Sequence, residues 1–173
     1  MNRSILLSAC LLTVVGASGA AEPPRQNFEC DTLGGHFSYW NRTISAAKID
    51  ITGTLTVNEL RKDGKWIPTA LAVIRAADEK TFFGVHLVSI PKAKDLYFVE
   101  LVKAGGNEKL GLGFLPATKD PLPFAIHLDG AGQVTVSLGG LEGSAPVGGF
   151  KPASIQFSCS TGDFEFKDFV IQE

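Results

Sequence analysis

Near the C-terminus, DFEFKD (Asp163 to Asp168) sets two carboxylates at alternate positions, Asp163 and Glu165, with Asp168 three residues on. Side chains two apart on a strand share a face, and two carboxyls about 5 Å apart on one face could divide the roles of nucleophile and acid in cleaving a glycosidic bond. The same six residues also have a simpler account. Phe164 and Phe166 would point into a core while Asp163, Glu165 and Lys167 face water, with Lys167 neutralising its acidic neighbours. Alternation explains every residue here, so Asp163 and Glu165 stand as secondary candidates and no residue is assigned a catalytic role.

The histidines are the second group. In FFGVHLV, His86 lies on the side opposite Val85 and Leu87; in FAIHLD, His127 lies opposite Phe124, Ile126 and Leu128 and on the side of Asp129. If these two strands are neighbours in one sheet, His86, His127 and Asp129 line one groove, with Trp66 or Tyr97 as an aromatic platform for a ring-shaped ligand. A metal would need three ligands to converge, which a single sequence does not show. His36, in GGHF, reads as a turn residue. Tyr39, Trp40, Trp66 and Tyr97 are the aromatic residues able to combine stacking with a hydrogen bond. No Gly-x-Ser-x-Gly is present, so no nucleophile elbow is expected. The glycine-rich stretch from Gly139 to Gly149 follows a strand and opens no helix, so it predicts a flexible surface loop at a rim and not a phosphate cradle.

The first 20 residues, MNRSILLSACLLTVVGASGA, combine one arginine, an apolar run from Ile5 to Val15, and small residues at Ser18 and Ala20. This is the pattern of a cleaved secretory signal of bacterial type; a span would need about 20 consecutive apolar residues. Leu7-Ser8-Ala9-Cys10 matches a lipobox in outline, but the apolar run before Cys10 is too short and continues past it. Cleavage leaves 15 basic and 18 acidic residues. No basic run exceeds Arg61-Lys62, so neither nucleic acid nor an anionic membrane surface is expected as a partner. Of the three cysteines only Cys30 and Cys159 survive cleavage, which in a periplasmic or secreted protein predicts a disulfide between them. With no Cys-x-x-Cys, a zinc-thiolate site is excluded.

About 150 mature residues suit one domain. Residues 21–27 are expected to be disordered and 28–173 to form the domain. Period-two alternation marks strands at Lys48 to Val57, Trp66 to Arg75, Thr81 to Ile90, Asp95 to Lys103, Pro123 to Asp129, Gln133 to Leu138, Ala153 to Cys159 and Phe164 to Ile171. The separators are turn-forming, as in Lys62-Asp63-Gly64 and Asp129-Gly130. No window has a sustained helical period. Such spacing predicts an all-β, two-sheet antiparallel β-sandwich of jelly-roll type, with the disulfide pinning the first strand beside one of the last two. LYFVELV, apolar on both faces, predicts a strand inside a sheet.

The early Gly-His-Phe-Ser strand, the Trp66-Ile-Pro return, Phe83-Gly-Val-His-Leu, Leu96-Tyr-Phe and the closing Phe-Lys-Asp-Phe-Val-Ile strand together resemble the concanavalin A-like lectin and glucanase superfamily. The resemblance implies two curved sheets that hold carbohydrate on a face or rim, often with a calcium ion nearby. In the glucanases of this fold the catalytic acids read Glu-x-Asp-x-x-Glu on a mid-chain strand; here the types are reversed and the stretch is terminal. The expectation is therefore an exported, non-catalytic carbohydrate-binding module. The rivals are a glycoside hydrolase or lyase on the same fold, and a structural or interaction protein of the cell envelope.

Overall fold

The computed structural model describes residues 23–63, 65–90, 93, 95–103 and 108–173. The expected signal sequence and Cys10 lie outside the described residues, as do Gly64, Pro91, Lys92, Lys94 and residues 104–107.

Twelve strands make up the described chain: β1 (Gln26–Asp31), β2 (Phe37–Thr43), β3 (Lys48–Leu60), β4 (Thr69–Ala76), β5 (Phe82–Ser89), β6 (Leu96–Lys103), β7 (Glu108–Pro116), β8 (Leu122–Asp129), β9 (Gln133–Leu138), β10 (Leu141–Pro146), β11 (Pro152–Ser160) and β12 (Gly162–Gln172). They form two six-stranded sheets in the orders β1-β12-β3-β8-β9-β10 and β2-β11-β4-β5-β6-β7, every pairing antiparallel. The two-sheet antiparallel sandwich and the Cys30–Cys159 bridge are both as the sequence predicts. β1 lies beside β12, and β6 lies inside its sheet between β5 and β7.

Alternation builds the core. Ile49, Ile51, Phe124, Ile126, Val134 and Val136 from the first sheet meet Ile74, Val85, Leu87, Val99 and Leu101 from the second, all at most 3% exposed. Phe157 sits at the centre of an aromatic cluster, with Phe169 at 4.5 Å, Phe166 at 5.0 Å and Trp40 at 5.4 Å between ring centroids. Fully burying one such side chain contributes roughly 1.5–3 kcal/mol.

Three expectations need correction. Leu141–Pro146 is the edge strand β10 and not a loop: its backbone ladders with β9 from Leu138 to Gln133, and a Cβ at Gly143 would stand 2.4 Å from Leu112 Cδ2 of the other sheet, so the leucine side chain would have to shift. β4 starts at Thr69, so Trp66 belongs to the preceding loop. β1 starts at Gln26, inside the stretch expected to be disordered, because β12 offers it a pairing edge.

Candidate functional site

The histidines do not share a groove. β5 and β8 belong to different sheets, so His86 and His127 project from opposite outer faces of the sandwich. Each has its own carboxylate across one ladder. His127 pairs with Asp50 on β3, Nδ1–H to carboxylate. His86 pairs with Glu100 on β6 and donates from Nδ1 at 2.8 Å; Lys109 Nζ donates to the same oxygen at 2.8 Å. Glu100 is 5% exposed. Its burial pushes the carboxyl up, but the Lys109 and His86 hydrogen bonds outweigh this and hold it below the ordinary range. Burial, chiefly, holds the His86 imidazole below its usual value.

Asp129 is spent on its own turn, where Oδ1 accepts from the backbone N–H groups of Ala131, Gly132 and Gln133. Tyr97 is 4% exposed and faces the core, its hydroxyl donating to the Thr118 carbonyl, so it is no platform. Phe164 and Phe166 are buried at 0% and 1%, and Asp163 and Glu165 project to the other side. Asn58 Nδ2 donates to Asp163 at 3.4 Å and Lys167 pairs with Glu165 at 2.8 Å. Among the described residues no three histidine, cysteine or acidic side chains converge as a metal site.

Of the predicted residues, Trp66 stands in a cleft. It is 58% exposed and lines, with Arg61, Asp63, Ile67, Pro68 and Ser89, a depression of about 470 Å³ at one end of the sandwich. That size falls in the range of small-molecule sites, and the lining mixes an exposed indole with charged and hydroxyl groups. The loop is fixed by its sequence. Asp63 Oδ1 accepts from Lys65 N at 2.8 Å and Trp66 N at 2.9 Å, an Asx turn that aims the indole. Those two backbone bonds hold the Asp63 carboxyl below its ordinary range.

The turn between β1 and β2 packs against this loop. Gly34 permits the contact, since a Cβ there would lie 2.9 Å from the Lys62 carbonyl. Arg61 donates to Asp31 at 2.5 Å, to the Thr32 carbonyl at 2.7 Å and to Glu59 at 2.9 Å. Thr161, in the turn joining β11 to β12, completes the seam: its N–H donates to the His36 carbonyl, its carbonyl accepts from Arg61 N, and its hydroxyl accepts from Gly35 N. Thr161 is fully buried with φ of 58°, a left-handed conformation rare for a β-branched residue. Nothing local in the sequence marks Thr161 as part of this site, and Lys62-Asp63-Gly64 reads only as a turn.

No family model and no curated protein sequence matches the chain. Solved structures do. A carbohydrate-binding module of Bacillus subtilis (CBM66) superposes with a TM-score of 0.56 at 13% identity, over 84% of this chain and 86% of that one. The CBM2 module of an evolved Dit from Lactobacillus casei BL23 phage J-1 gives 0.57 at 13% identity, over 90% and 76%. A β-1,3-1,4-glucanase (lichenase) from a mouse hindgut metagenome gives 0.51 at 10% identity, over 84% and 78%. The shared fold is a two-sheet jelly-roll sandwich, in keeping with the resemblance to the concanavalin A-like lectins and glucanases. Within this sandwich, the Trp66 cleft lies among loops at one end and the two histidine–carboxylate pairs lie out on the sheet faces.

Proposed function

We propose that the protein is an exported, non-catalytic carbohydrate-binding module whose Trp66 cleft receives a sugar ring. The exposed indole carries the reading, because a flat apolar plate beside polar side chains matches the apolar C–H face and hydroxyl rim of a saccharide. The disulfide and the carbohydrate-binding modules among the similar structures support export and this ligand class. The acids around the cleft support a binding role over a catalytic one. Asp63 orders the loop that carries Trp66, while Asp31 and Glu59 are held by Arg61.

The test is a glycan array on the mature protein, with and without calcium, followed by titration of any hit against Trp66→Ala. Binding that disappears in the variant is the expected result. Silence on every glycan would remove the carbohydrate reading, and release of reducing ends from any polysaccharide would replace binding with hydrolysis or lysis.

A further inference from the structure

The outer face of the second sheet carries a separate aromatic surface. β2 is an edge strand, and its alternation turns Trp40 onto Phe157 inside while Phe37, Tyr39 and Asn41 face out. Phe37 is 71% exposed and Tyr39 57%. Their rings stack with centroids 6.3 Å apart and planes within 17°, so together they make one apolar plate along the strand. Edge strands are ordinarily protected by charge or by a cover; this one presents two aromatic rings.

Polar groups border the plate in an ordered way. β11 sets Ser158 beside Tyr39 and Gln156 beside Asn41. From β4, Arg75 Nη1 donates to the Gln156 oxygen at 2.6 Å and Nη2 donates to the Glu79 carbonyl, while the guanidinium lies over the Phe82 ring at 5.2 Å. The arginine therefore fixes the Gln156 amide, whose oxygen accepts from Nη1, at the border of a depression. Phe37, Tyr39, Asn41, Ser154, Gln156 and Arg75 border a shallow depression of about 250 Å³.

We infer that this face of β2 is a second saccharide site, taking a neutral hexopyranose unit on the Phe37–Tyr39 plate with Asn41 and Gln156 meeting its hydroxyls. A neutral sugar fits better than a uronate. The charge of Arg75 is directed to internal acceptors and to Phe82, and Glu79 also lines the depression. The site rests on residues separate from the Trp66 cleft and stands without it. With both sites working, one chain engages a polymer at two points, and polymer binding exceeds oligosaccharide binding by tenfold or more when the spacing allows.

Amide chemical-shift mapping on the full mature chain tests this, using a mixed-linked β-glucan oligosaccharide, a fructo-oligosaccharide and an oligouronate as probes. A neutral probe should shift the amides of Tyr39, Asn41, Ser154 and Gln156 in the wild type and in Trp66→Ala, but not in Tyr39→Ala. Tyr39→Ala should keep its urea midpoint, because the ring is exposed, and lose tenfold or more in affinity for the matching polysaccharide. The inference fails if no probe moves the β2 and β11 amides, or if the oligouronate moves them more than the neutral sugars. Loss of response at Trp66 alone would overturn the cleft and leave this site standing.

Discussion

Cys30 on β1 and Cys159 on β11 are joined with their Cα atoms 6.0 Å apart, so a single covalent bond ties the edge strand of one sheet to the interior of the other. β1 has only β12 as a ladder partner, and the bridge holds it from beneath. The same link lies next to Thr32, whose hydroxyl donates to the Gly162 carbonyl at 3.0 Å, and so braces the turn on which the Trp66 loop rests.

The bridge closes a loop of 129 residues, for which the chain-entropy estimate gives about 4–5 kcal/mol. Reduction, or the Cys30→Ser/Cys159→Ser pair, should lower the unfolding free energy in urea by up to about that amount. An unchanged midpoint, or two free thiols titrated in the denatured mature chain, would contradict the structure.

Asp63 should act on binding only through the loop it orders. Asp63→Ala leaves the Lys65 and Trp66 N–H groups without their acceptor, whereas Asp63→Asn retains an oxygen in place. Affinity for whichever glycan binds the cleft should fall about tenfold in the alanine variant, roughly 1.4 kcal/mol, and largely recover in asparagine. Equal losses in both would mean that the carboxylate touches the ligand itself.

Acid should loosen the second sheet in two stages. His86 binds its proton less readily folded than unfolded, so the unfolded chain takes up more protons as pH falls below the ordinary histidine value of 6.5, and stability declines. Glu100 is also held low, so its contribution is present above its unfolded value of 4.5 and is lost as pH falls through its folded pKa. Between about pH 7.5 and about 5.5, the urea midpoint should drop less in His86→Gln than in the wild type. Equal drops would assign the acid sensitivity elsewhere.

Asp168 has φ of 50° at the bulge in β12, and its N–H is taken by Asn27 Oδ1 at 2.8 Å. Asp168→Gly should be neutral or mildly stabilising, while Asp168→Val should cost about 1–2 kcal/mol, the penalty for a side chain held left-handed. Thermal unfolding of the two variants decides it, and a valine variant as stable as wild type would argue against the bulge.

That bulge lies beyond what the local sequence pattern specifies. Strict alternation from Phe164 and Phe166 would send Asp168 and Val170 inward. The chain instead slips by one residue between Lys167 and Val170, putting Phe169 and Ile171 in the core at 0% and 5% exposure and leaving the charge in water. Local pattern identifies which residues want burial; it does not say that one extra residue will be tolerated to achieve it.

The all-β class, the inward phenylalanines of β12 and the Cys30–Cys159 pairing were legible in the chain itself, because alternation and cysteine count are local or compositional facts. Which strands became neighbours was not. Only the tertiary structure separated His86 from His127 by placing β5 and β8 in different sheets, turned Tyr97 inward, and brought Asp63, Arg61 and Thr161 together around Trp66. Strand order depends on long-range pairing, with β3 joined to β12 and β2 to β11 across most of the chain, and no short window of sequence carries that information.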